Sequence, residues 1–263
     1  MDSLQQALRG AQHSPPPALR LGPPLLVVGA GGTLGAALLA ECLVVGRFQQ
    51  VGAVVDAPLG TALRGLKAVP AQAWLNAPAG TVLPQAEMAF LVFERERHAN
   101  GRDQAFTRPE PADLLAWAQR LHASGVRRLV VLVPHAPSLL PDALRGGFAN
   151  HEEHAVAGLG FEQLVFLRPS QAAGPGAPGR SAAQRLADWW LSQLRWMVAE
   201  VEKPVLSAQL ASVCMALARQ LALAPPGTRV LPQPVLAQAA RGDADAVLAA
   251  WLGLAAPAEV AAA

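Results

Sequence analysis

The segment at residues 25–35 constrains the fold more than any other part of the chain. A four-residue apolar run, Leu25–Val28, is followed by Gly29, Gly32 and Gly35 at intervals of three residues, and then by an apolar stretch of helical character. In such a strand, turn and helix, the first glycine permits a tight turn and the second lets the backbone approach a phosphate, because no Cβ intervenes. The third lets the helix pack closely on the strand, and the helix N-terminus presents free N–H groups to an anion. The segment therefore predicts a buried parallel strand followed by a turn suited to a dinucleotide.

The spelling of the glycine motif and the acid that follows it refine this prediction. The motif is G-x-x-G-x-x-G, because Leu34 stands where G-x-G-x-x-G needs its last glycine, and Gly31 adds one more glycine. A second apolar run, Val51–Val55, ends at Asp56, which lies 21 residues after Gly35. A carboxylate at this place can bond the hydroxyls of an adenine ribose. We therefore predict that the chain binds a nicotinamide dinucleotide.

The same acid bears on the choice of dinucleotide. Asp56 favours NAD over NADP, because a carboxylate repels a 2′-phosphate and bonds the free hydroxyl. Arg64 and Lys67 follow closely in the sequence and could instead accommodate a 2′-phosphate. NAD is the expected cofactor, and NADP is the alternative.

A membrane span is the main competing interpretation of the first apolar stretch. Residues 25–45 carry only one charge, Glu41, and are numerous enough to cross a bilayer. However, the glycine cluster lies inside this stretch, a second strand pattern follows at once, and no basic flank marks either end. We therefore expect no contact with membranes.

Composition excludes several other classes of protein. The chain has 263 residues, 52% of them hydrophobic and 15% charged, and its formal net charge of +2 gives no reason to expect nucleic acid as a partner. Residues 1–20 lack the apolar centre of a signal peptide, so a cytoplasmic location is expected. Cys42 and Cys214 lie far apart in sequence, and we expect both to be buried free thiols.

Short apolar runs alternate with helical patterns along the chain, which predicts βαβ units and a parallel sheet covered on both faces. Segment 68–84 contains a further strand candidate interrupted by prolines, and segment 204–252 suggests one short strand at 204–206 and two or three helices. The chain is expected to comprise an N-terminal helix with a Pro-rich linker (1–20), a nucleotide-binding domain (21–170) and a C-terminal lobe (171–263). The remaining predicted strands are 25–28, 51–55, 89–93, 129–133 and 164–167, and the helices are 33–46, 60–67, 111–124 and 148–158.

Three segments together resemble a known family. Val27–Gly35, Gly125–Leu132 and Gly160–Pro169, with a weaker match at Lys203–Ala208, resemble the atypical, extended short-chain dehydrogenase/reductases of the NmrA-like, NAD(P)H-binding group. The resemblance covers about residues 22–240. It implies a Rossmann-type doubly wound parallel sheet with a small, mostly helical C-terminal lobe over the substrate. The cofactor-binding residues that follow are Gly29, Gly31, Gly32, Thr33, Leu34, Gly35, Asp56, Phe93 and Pro134.

The catalytic residues of that family do not carry over to this sequence. Active members use a Tyr as proton donor, a Lys one helical turn later and a Ser after the fifth strand, but this chain contains no tyrosine. Phe148 is nearest to the Tyr position and Glu152 stands four residues on, while Pro134 or His135 falls at the Ser position. The catalytic residues are therefore unknown. His135 is the one candidate, because it follows a central strand and imidazole titrates near neutral pH.

Other polar clusters point to less specific chemistry. Residues 151–154 read His-Glu-Glu-His, which lacks both the H-E-x-x-H spacing and a third ligand, so we expect a solvated helix face and no metal. The charge run at residues 94–98 is expected to be solvated and paired within itself. Ser138 and Ser170 lack the G-x-S-x-G elbow of serine hydrolases.

Three functions are compatible with these observations. The first is an NAD(P)-binding Rossmann protein without standard Tyr/Lys catalysis, acting as a cofactor sensor, a scaffold or a degenerate enzyme. The second is an NAD(P)H-dependent reductase or epimerase with a quinone- or carbonyl-type acceptor and non-standard catalytic residues. The third is an interaction module with an empty nucleotide site. In each case, a small-molecule or protein partner is expected at the C-terminal lobe.

Overall fold

The computed structural model describes residues 22–44, 47–59, 64–75, 86–94, 103–134, 151–169 and 205–254. Within them, seven strands form one sheet in the order β3-β2-β1-β4-β5-β6-β7, and every neighbouring pair is parallel. The predicted α/β class with a doubly wound parallel sheet is confirmed. The strands are β1 (Leu25–Val28), β2 (Val51–Val55), β3 (Leu66–Pro70), β4 (Met88–Val92), β5 (Arg128–Leu132), β6 (Gln163–Leu167) and β7 (Gly227–Leu231).

The central strands are largely apolar because both of their faces are covered, and the polar exceptions are the first residues of β5 and β6, Arg128 and Gln163. Along β1, Leu25 and Val27 belong to the hydrophobic cluster on one side of the sheet, and Leu26 and Val28 belong to the cluster on the other side. All four side chains are at most 2% exposed. A continuous apolar run of this length is what a strand buried on both faces requires.

Helices cover the two faces unequally in the described ranges. Side chains from α1, α5, α6 and α7 enter the first cluster, and those from α2, α3 and α4 enter the second. The helices are α1 (Thr33–Cys42), α2 (Ala71–Leu75), α3 (Leu114–Ala123), α4 (His151–Ala157), α5 (Ser207–Leu221), α6 (Gln233–Arg241) and α7 (Ala244–Trp251), with 3₁₀ turns at Asp103–Ala105 and Pro111–Asp113.

The strand order creates a crevice at one edge of the sheet. The chain runs outward from β1 through β2 to β3 and then returns to place β4 on the other side of β1. In open α/β sheets, ligands bind outside the carboxyl ends of the strands where the order reverses in this way. The glycine turn after β1, Asp56 after β2 and Glu94 after β4 all lie at this edge.

One predicted element and several predicted boundaries are wrong. Residues 66–70 form β3 where a helix over 60–67 was expected, because pairing in register with β2 from Leu66 to Pro70 overrides the local helical pattern. Residues 60–63 lie outside the described ranges. The helix predicted over 33–46 ends at Cys42, and the strands predicted at 89–93 and 129–133 each begin and end one residue earlier.

The C-terminal segment contributes to the same sheet. The strand expected at 204–206 is wrong, since Val205 and Leu206 directly precede α5 without strand structure, and β7 (Gly227–Leu231) pairs with β6 instead. Helices α5, α6 and α7 share the core of the first cluster. Residues 1–21 and 170–204 lie outside the described ranges, so the division into domains stays a prediction.

The first apolar stretch does not fold as a membrane-spanning helix. Residues 25–42 fold as β1, the glycine turn and the ten-residue helix α1. Among the described residues, no helix combines the length and the apolar character needed to cross a bilayer.

Candidate functional site at the carboxyl edge of the sheet

The turn after β1 requires glycine at its first position. Gly29 has a φ of +87°, and a Cβ placed on it would lie 2.1 Å from the carbonyl oxygen of Val92 at the end of β4. A side chain here would be strained and would also collide with the neighbouring strand. The turn is therefore held tightly between β1 and β4.

The third glycine of the motif brings the helix close to this turn. A Cβ on Gly35 would lie 2.1 Å from the carbonyl oxygen of Gly29. Gly32 is the N-cap residue of α1 in extended backbone, and α1 begins at Thr33. The strand, tight turn and closely packed helix thus have the arrangement that the glycine spacing predicts.

The N-terminus of α1 holds a carboxylate. The Leu34 N–H donates to Glu94 Oε1 and Oε2 at 2.8 and 3.1 Å, and the Gly35 N–H donates to Glu94 Oε2 at 3.2 Å. Helix α1, which is described in full, has neither a side-chain cap on its N-cap residue nor an acidic residue in its first turn. The anion that the helix end favours therefore comes from the end of β4.

This contact corrects the expectation for the charge run at residues 94–98. Glu94 is half-buried on the helix end rather than solvated, while residues 95–98 lie outside the described ranges. One signal in the sequence pointed to such a contact. The N-cap position of α1 holds a glycine where Ser, Thr, Asp or Asn would supply an oxygen, so the helix end was left without a local acceptor.

A second segment, residues 103–109, lies against the same edge. The side chain of Pro109 approaches within 3.3 Å of the position that a Cβ on Gly29 would take, and Arg108 Nη2 donates to the Glu94 carbonyl at 3.4 Å. Phe106 is 5% exposed and packs in the first hydrophobic cluster. The glycine turn is thus covered by the chain's own residues.

The same segment pairs with the end of β2. The Asp56 N–H donates to the Ala105 carbonyl at 2.8 Å, and the Thr107 N–H donates to the Val54 carbonyl at 3.1 Å. The Thr107 hydroxyl donates to Asp56 Oδ1 at 2.7 Å, although the Asp56 side chain is otherwise exposed. Asp56 therefore stands at the end of β2 with one oxygen already bonded to a hydroxyl group.

Two further predicted cofactor residues are buried at neighbouring strand ends. Phe93 is 2% exposed and packs in the second hydrophobic cluster, on the opposite face from Val92. Pro134 is buried directly after Val133, whose N–H donates to the Leu167 carbonyl at 2.9 Å. Contact of either residue with a cofactor stays a prediction.

The candidate catalytic positions fall largely outside the described ranges. His135, Phe148, Ser138 and Ser170 are among the residues that the structure does not describe. A catalytic role for His135 therefore stays a prediction.

The His-Glu-Glu-His sequence is only partly a solvated face. His151 and His154 are exposed, but Glu153 turns inward and forms an ion pair with Arg168, with Nη2 and Oε2 2.5 Å apart. The Arg168 carbonyl accepts a hydrogen bond from the side chain of Gln233 at the start of α6. In the described part of the chain, no group of three or more His, Cys, Asp or Glu residues is placed to hold a metal ion.

The two cysteines are buried free thiols, as expected. Cys42 on α1 and Cys214 on α5 are at most 1% exposed. Burial raises the pKa of the Cys42 thiol to about 12, and burial also raises the pKa of the Cys214 thiol, with a smaller contribution from Cys42. Neither thiol is suited to act as a nucleophile near neutral pH.

Comparison with known proteins finds solved structures of similar fold. No family model matches the chain, and no curated protein matches it. Among solved structures, it is similar to the enzyme WbmH of Bordetella bronchiseptica in complex with NAD⁺ (16% identity, 90% of this chain and 83% of that one, TM-score 0.46). It is also similar to an oxidoreductase of the short-chain dehydrogenase/reductase family from Burkholderia thailandensis (16% identity, 82% of this chain and 92% of that one, TM-score 0.45). A third similar structure is that of a UDP-galactose 4-epimerase (14% identity, 83% of this chain and 82% of that one, TM-score 0.46). The Rossmann-type arrangement itself follows from the strand order and the glycine turn of this chain.

Proposed function

We propose that this protein binds a nicotinamide dinucleotide, NAD(H) or NADP(H), across the carboxyl ends of β1, β2 and β4. One observation carries the proposal. The N-terminus of α1, directly behind a turn that only glycine can form, holds an anionic group on the N–H groups of Leu34 and Gly35. A phosphate is the ligand for which this combination of turn and helix end is suited.

The residues at this edge fit a dinucleotide in their nature and placement. The N–H groups of Leu34 and Gly35 would bind the pyrophosphate, and Asp56 would bond a hydroxyl of the adenine ribose. The close approach at Gly29 and Gly35 leaves no room for side chains, so the turn and the start of α1 pack tightly together behind these N–H groups. When bound, the nicotinamide ring supplies hydride transfer to or from an acceptor. The preference for NAD that Asp56 suggests belongs to this proposal.

We further propose that the protein lacks standard alcohol–ketone catalysis. A positioned general acid typically contributes about 10²- to 10⁴-fold to the rate of a proton transfer. The chain contains no tyrosine to act as that acid. The activity that remains is cofactor sensing, a scaffold function or that of a degenerate enzyme.

Titration of the full chain with NADH and NADPH tests the proposal. We expect at least one of them to bind with a Kd below about 1 mM, which corresponds to roughly −4 kcal/mol. Gly32→Val places a branched side chain beside the pyrophosphate and should weaken binding. Ala40→Val, on an exposed position of the same helix, is the matched control. If neither nucleotide binds the wild-type chain or any variant, the proposal fails and the interaction module with an empty site becomes the better interpretation.

Assays of ketones, aldehydes and quinones with both reduced cofactors test the second part. We expect no robust carbonyl reduction. Quinone reduction that is lost in His135→Ala would favour the reductase alternative instead.

A further inference from the structure

We propose that Glu94 is an intramolecular competitor for the nucleotide, whose carboxylate occupies the phosphate site and must leave before a dinucleotide can bind. This inference rests on the proposed function and concerns the regulation of that same site. It makes the described arrangement a closed form of the protein.

The Glu94 carboxylate lies on the backbone N–H groups at the N-terminus of α1. Both of its oxygens accept N–H groups from the first turn of α1, at 2.8 to 3.2 Å. These are the groups on which the phosphates of a dinucleotide rest when it binds at such a helix. A carboxylate and a phosphate cannot occupy the same N–H groups together, because both are anions and each needs the same donors.

A similar contact within the chain lies at Asp56, at the end of β2. The Thr107 hydroxyl donates to Asp56 Oδ1 at 2.7 Å, which is the hydrogen bond that a ribose hydroxyl would make there. Backbone hydrogen bonds from Asp56 to Ala105 and from Thr107 to Val54 hold this hydroxyl in place. The chain's own groups therefore make two of the polar contacts that the nucleotide would make.

The contact made by Glu94 lowers the apparent affinity of the protein for a nucleotide. Where a site must first open, the apparent affinity of a ligand falls by the fraction of molecules that are open. A charged hydrogen-bonded group at a helix N-terminus is stabilising, so the open fraction is small. We expect Glu94 to weaken nucleotide binding by about ten-fold, which corresponds to roughly 1.4 kcal/mol.

Two substitutions separate competition from a purely structural cap. Glu94→Gln removes the charge and keeps an oxygen that can accept an N–H group, while Glu94→Ala removes the acceptor as well. A residue that only stabilised the helix would lower stability when replaced and would leave affinity for anions unchanged or weaker. A competitor must instead raise that affinity when replaced.

The matched control lies at the other end of the same strand. Glu87 directly precedes β4, is exposed and stands at the amino edge of the sheet, whereas Glu94 follows β4 at the carboxyl edge. Glu87→Gln makes the same change of net charge and amide content. We expect it to leave nucleotide affinity unchanged.

The experiment measures calorimetric binding of NADH and of inorganic pyrophosphate to the full-length wild-type chain and the three variants. The expected result is about ten-fold tighter binding of both probes to Glu94→Gln and Glu94→Ala, with Glu87→Gln like the wild type. Amide hydrogen exchange at Leu34 and Gly35 should accelerate in Glu94→Ala without ligand. Thermal unfolding shows whether each variant is folded. If Glu94→Ala does not fold, the affinity of Glu94→Gln alone decides the result.

The outcomes distinguish this inference from the proposed function. If NADH binds equally to the wild type and to Glu94→Gln, the proposed function stands and competition by Glu94 is overturned. If NADH binds no variant but pyrophosphate binds Glu94→Gln more tightly than the wild type, the proposal of dinucleotide binding is wrong. Competition between Glu94 and a phosphate then still stands. If neither probe binds Glu94→Gln more tightly than the wild type, the inference is overturned.

Discussion

Glu94 and Glu153 are carboxylates at the carboxyl edge of the sheet, and they lie in different settings. Beside β1 and β4, Glu94 is half-buried and is bonded to backbone N–H groups at the end of α1. Beside β6, the Glu153 side chain is 3% exposed and is paired with Arg168, which is 4% exposed. An anion from solution can replace the first carboxylate, because the N–H groups it leaves can bind the newcomer. Departure of the second would break an ion pair between two buried side chains.

Charged side chains at this edge therefore have two different roles. The pair of Glu153 and Arg168 joins α4 to the end of β6, and the Arg168 carbonyl in turn joins α6 through Gln233. It forms part of the permanent scaffold on which a ligand would rest. Glu94 lies on that scaffold at the proposed phosphate site. Glu153 is thus a fixed carboxylate, whereas we expect Glu94 to be an exchangeable one.

The largest expected effect comes from breaking the buried pair. Glu153→Gln should lower the free energy of unfolding by about 3–5 kcal/mol, because it breaks an ion pair between two buried side chains by removing one of the charges. Glu152→Gln, at the half-buried neighbouring position, should change it by no more than about 0.5 kcal/mol. Urea denaturation measures both.

A double variant sharpens this test. Glu153→Gln combined with Arg168→Met removes both charges and should recover part of the stability lost in the single variant. A loss in Glu153→Gln no greater than that in Glu152→Gln would contradict the fixed role of this carboxylate.

The glycine turn beneath Glu94 should also behave as fixed scaffold. Gly29 and Gly125 both have positive φ, +87° and +90°, but a Cβ would meet the Val92 carbonyl at 2.1 Å in the first case and nothing within 4 Å in the second. Gly125→Ala should therefore cost about 1–2 kcal/mol from backbone strain alone. Gly29→Ala should cost about 2–4 kcal/mol, because the end of β4 must also shift. Equal losses in the two variants would show that the collision is relieved without cost.

A smaller and salt-dependent effect is expected for the exchangeable carboxylate. Without ligand, Glu94→Gln should lower the free energy of unfolding by about 1 kcal/mol, the magnitude typical of an anion at a helix N-terminus. The difference from wild type should shrink between about 0.01 M and about 1 M salt, since the Debye length falls from about 30 Å to about 3 Å. The loss in Glu153→Gln should change little over this range, because the pair is buried. Equal salt dependence in the two variants would remove the distinction between them.

How far the sequence predicts this fold depends on burial. Strands β1, β2, β4, β5 and β6 are covered on both faces, so each contains an apolar run, which in β5 and β6 begins after Arg128 and Gln163. The edge strands β3 and β7 contain Lys67 and Arg229 and are only partly buried. Their pairing with the neighbouring strand, which the local pattern does not encode, determines their structure.

The candidate site divides in the same way. The glycine turn is local, because Gly29, Gly32 and Gly35 lie within seven residues, and its geometry could be predicted from their spacing. The contact from Glu94 to Leu34 spans 60 positions, and a charge run in sequence carries no mark of which member turns toward a distant helix. Likewise, nothing in His-Glu-Glu-His distinguishes Glu153 from Glu152 until Arg168 is placed beside it by the sheet.

The smallest expected effect concerns an exposed ion pair far from this edge. Arg219 on α5 and Asp245 on α7 are 2.6 Å apart at Nη2 and Oδ2, with side chains 56% and 45% exposed. The hydrogen bond from Arg219 lowers the pKa of Asp245 from its ordinary value of 3.8, against a smaller opposing effect of partial burial. Because the pKa is lower in the folded state, the pair contributes stability above the unfolded pKa of 3.8 and loses it as the pH falls through the lowered value.

Arg219→Met should therefore reduce the free energy of unfolding by at most about 1 kcal/mol at neutral pH, as is usual for exposed pairs. The difference from wild type should shrink in acid, at about pH 3, because the carboxyl takes up a proton as the pH falls below its unfolded pKa of 3.8. Arg127→Met, an exposed arginine before β5, serves as the control and should show no such change with pH. Urea denaturation at both pH values measures the effect. A loss as large as that in Glu153→Gln, or one that persists in acid, would mean that exposure does not decide how much a charged pair contributes in this protein.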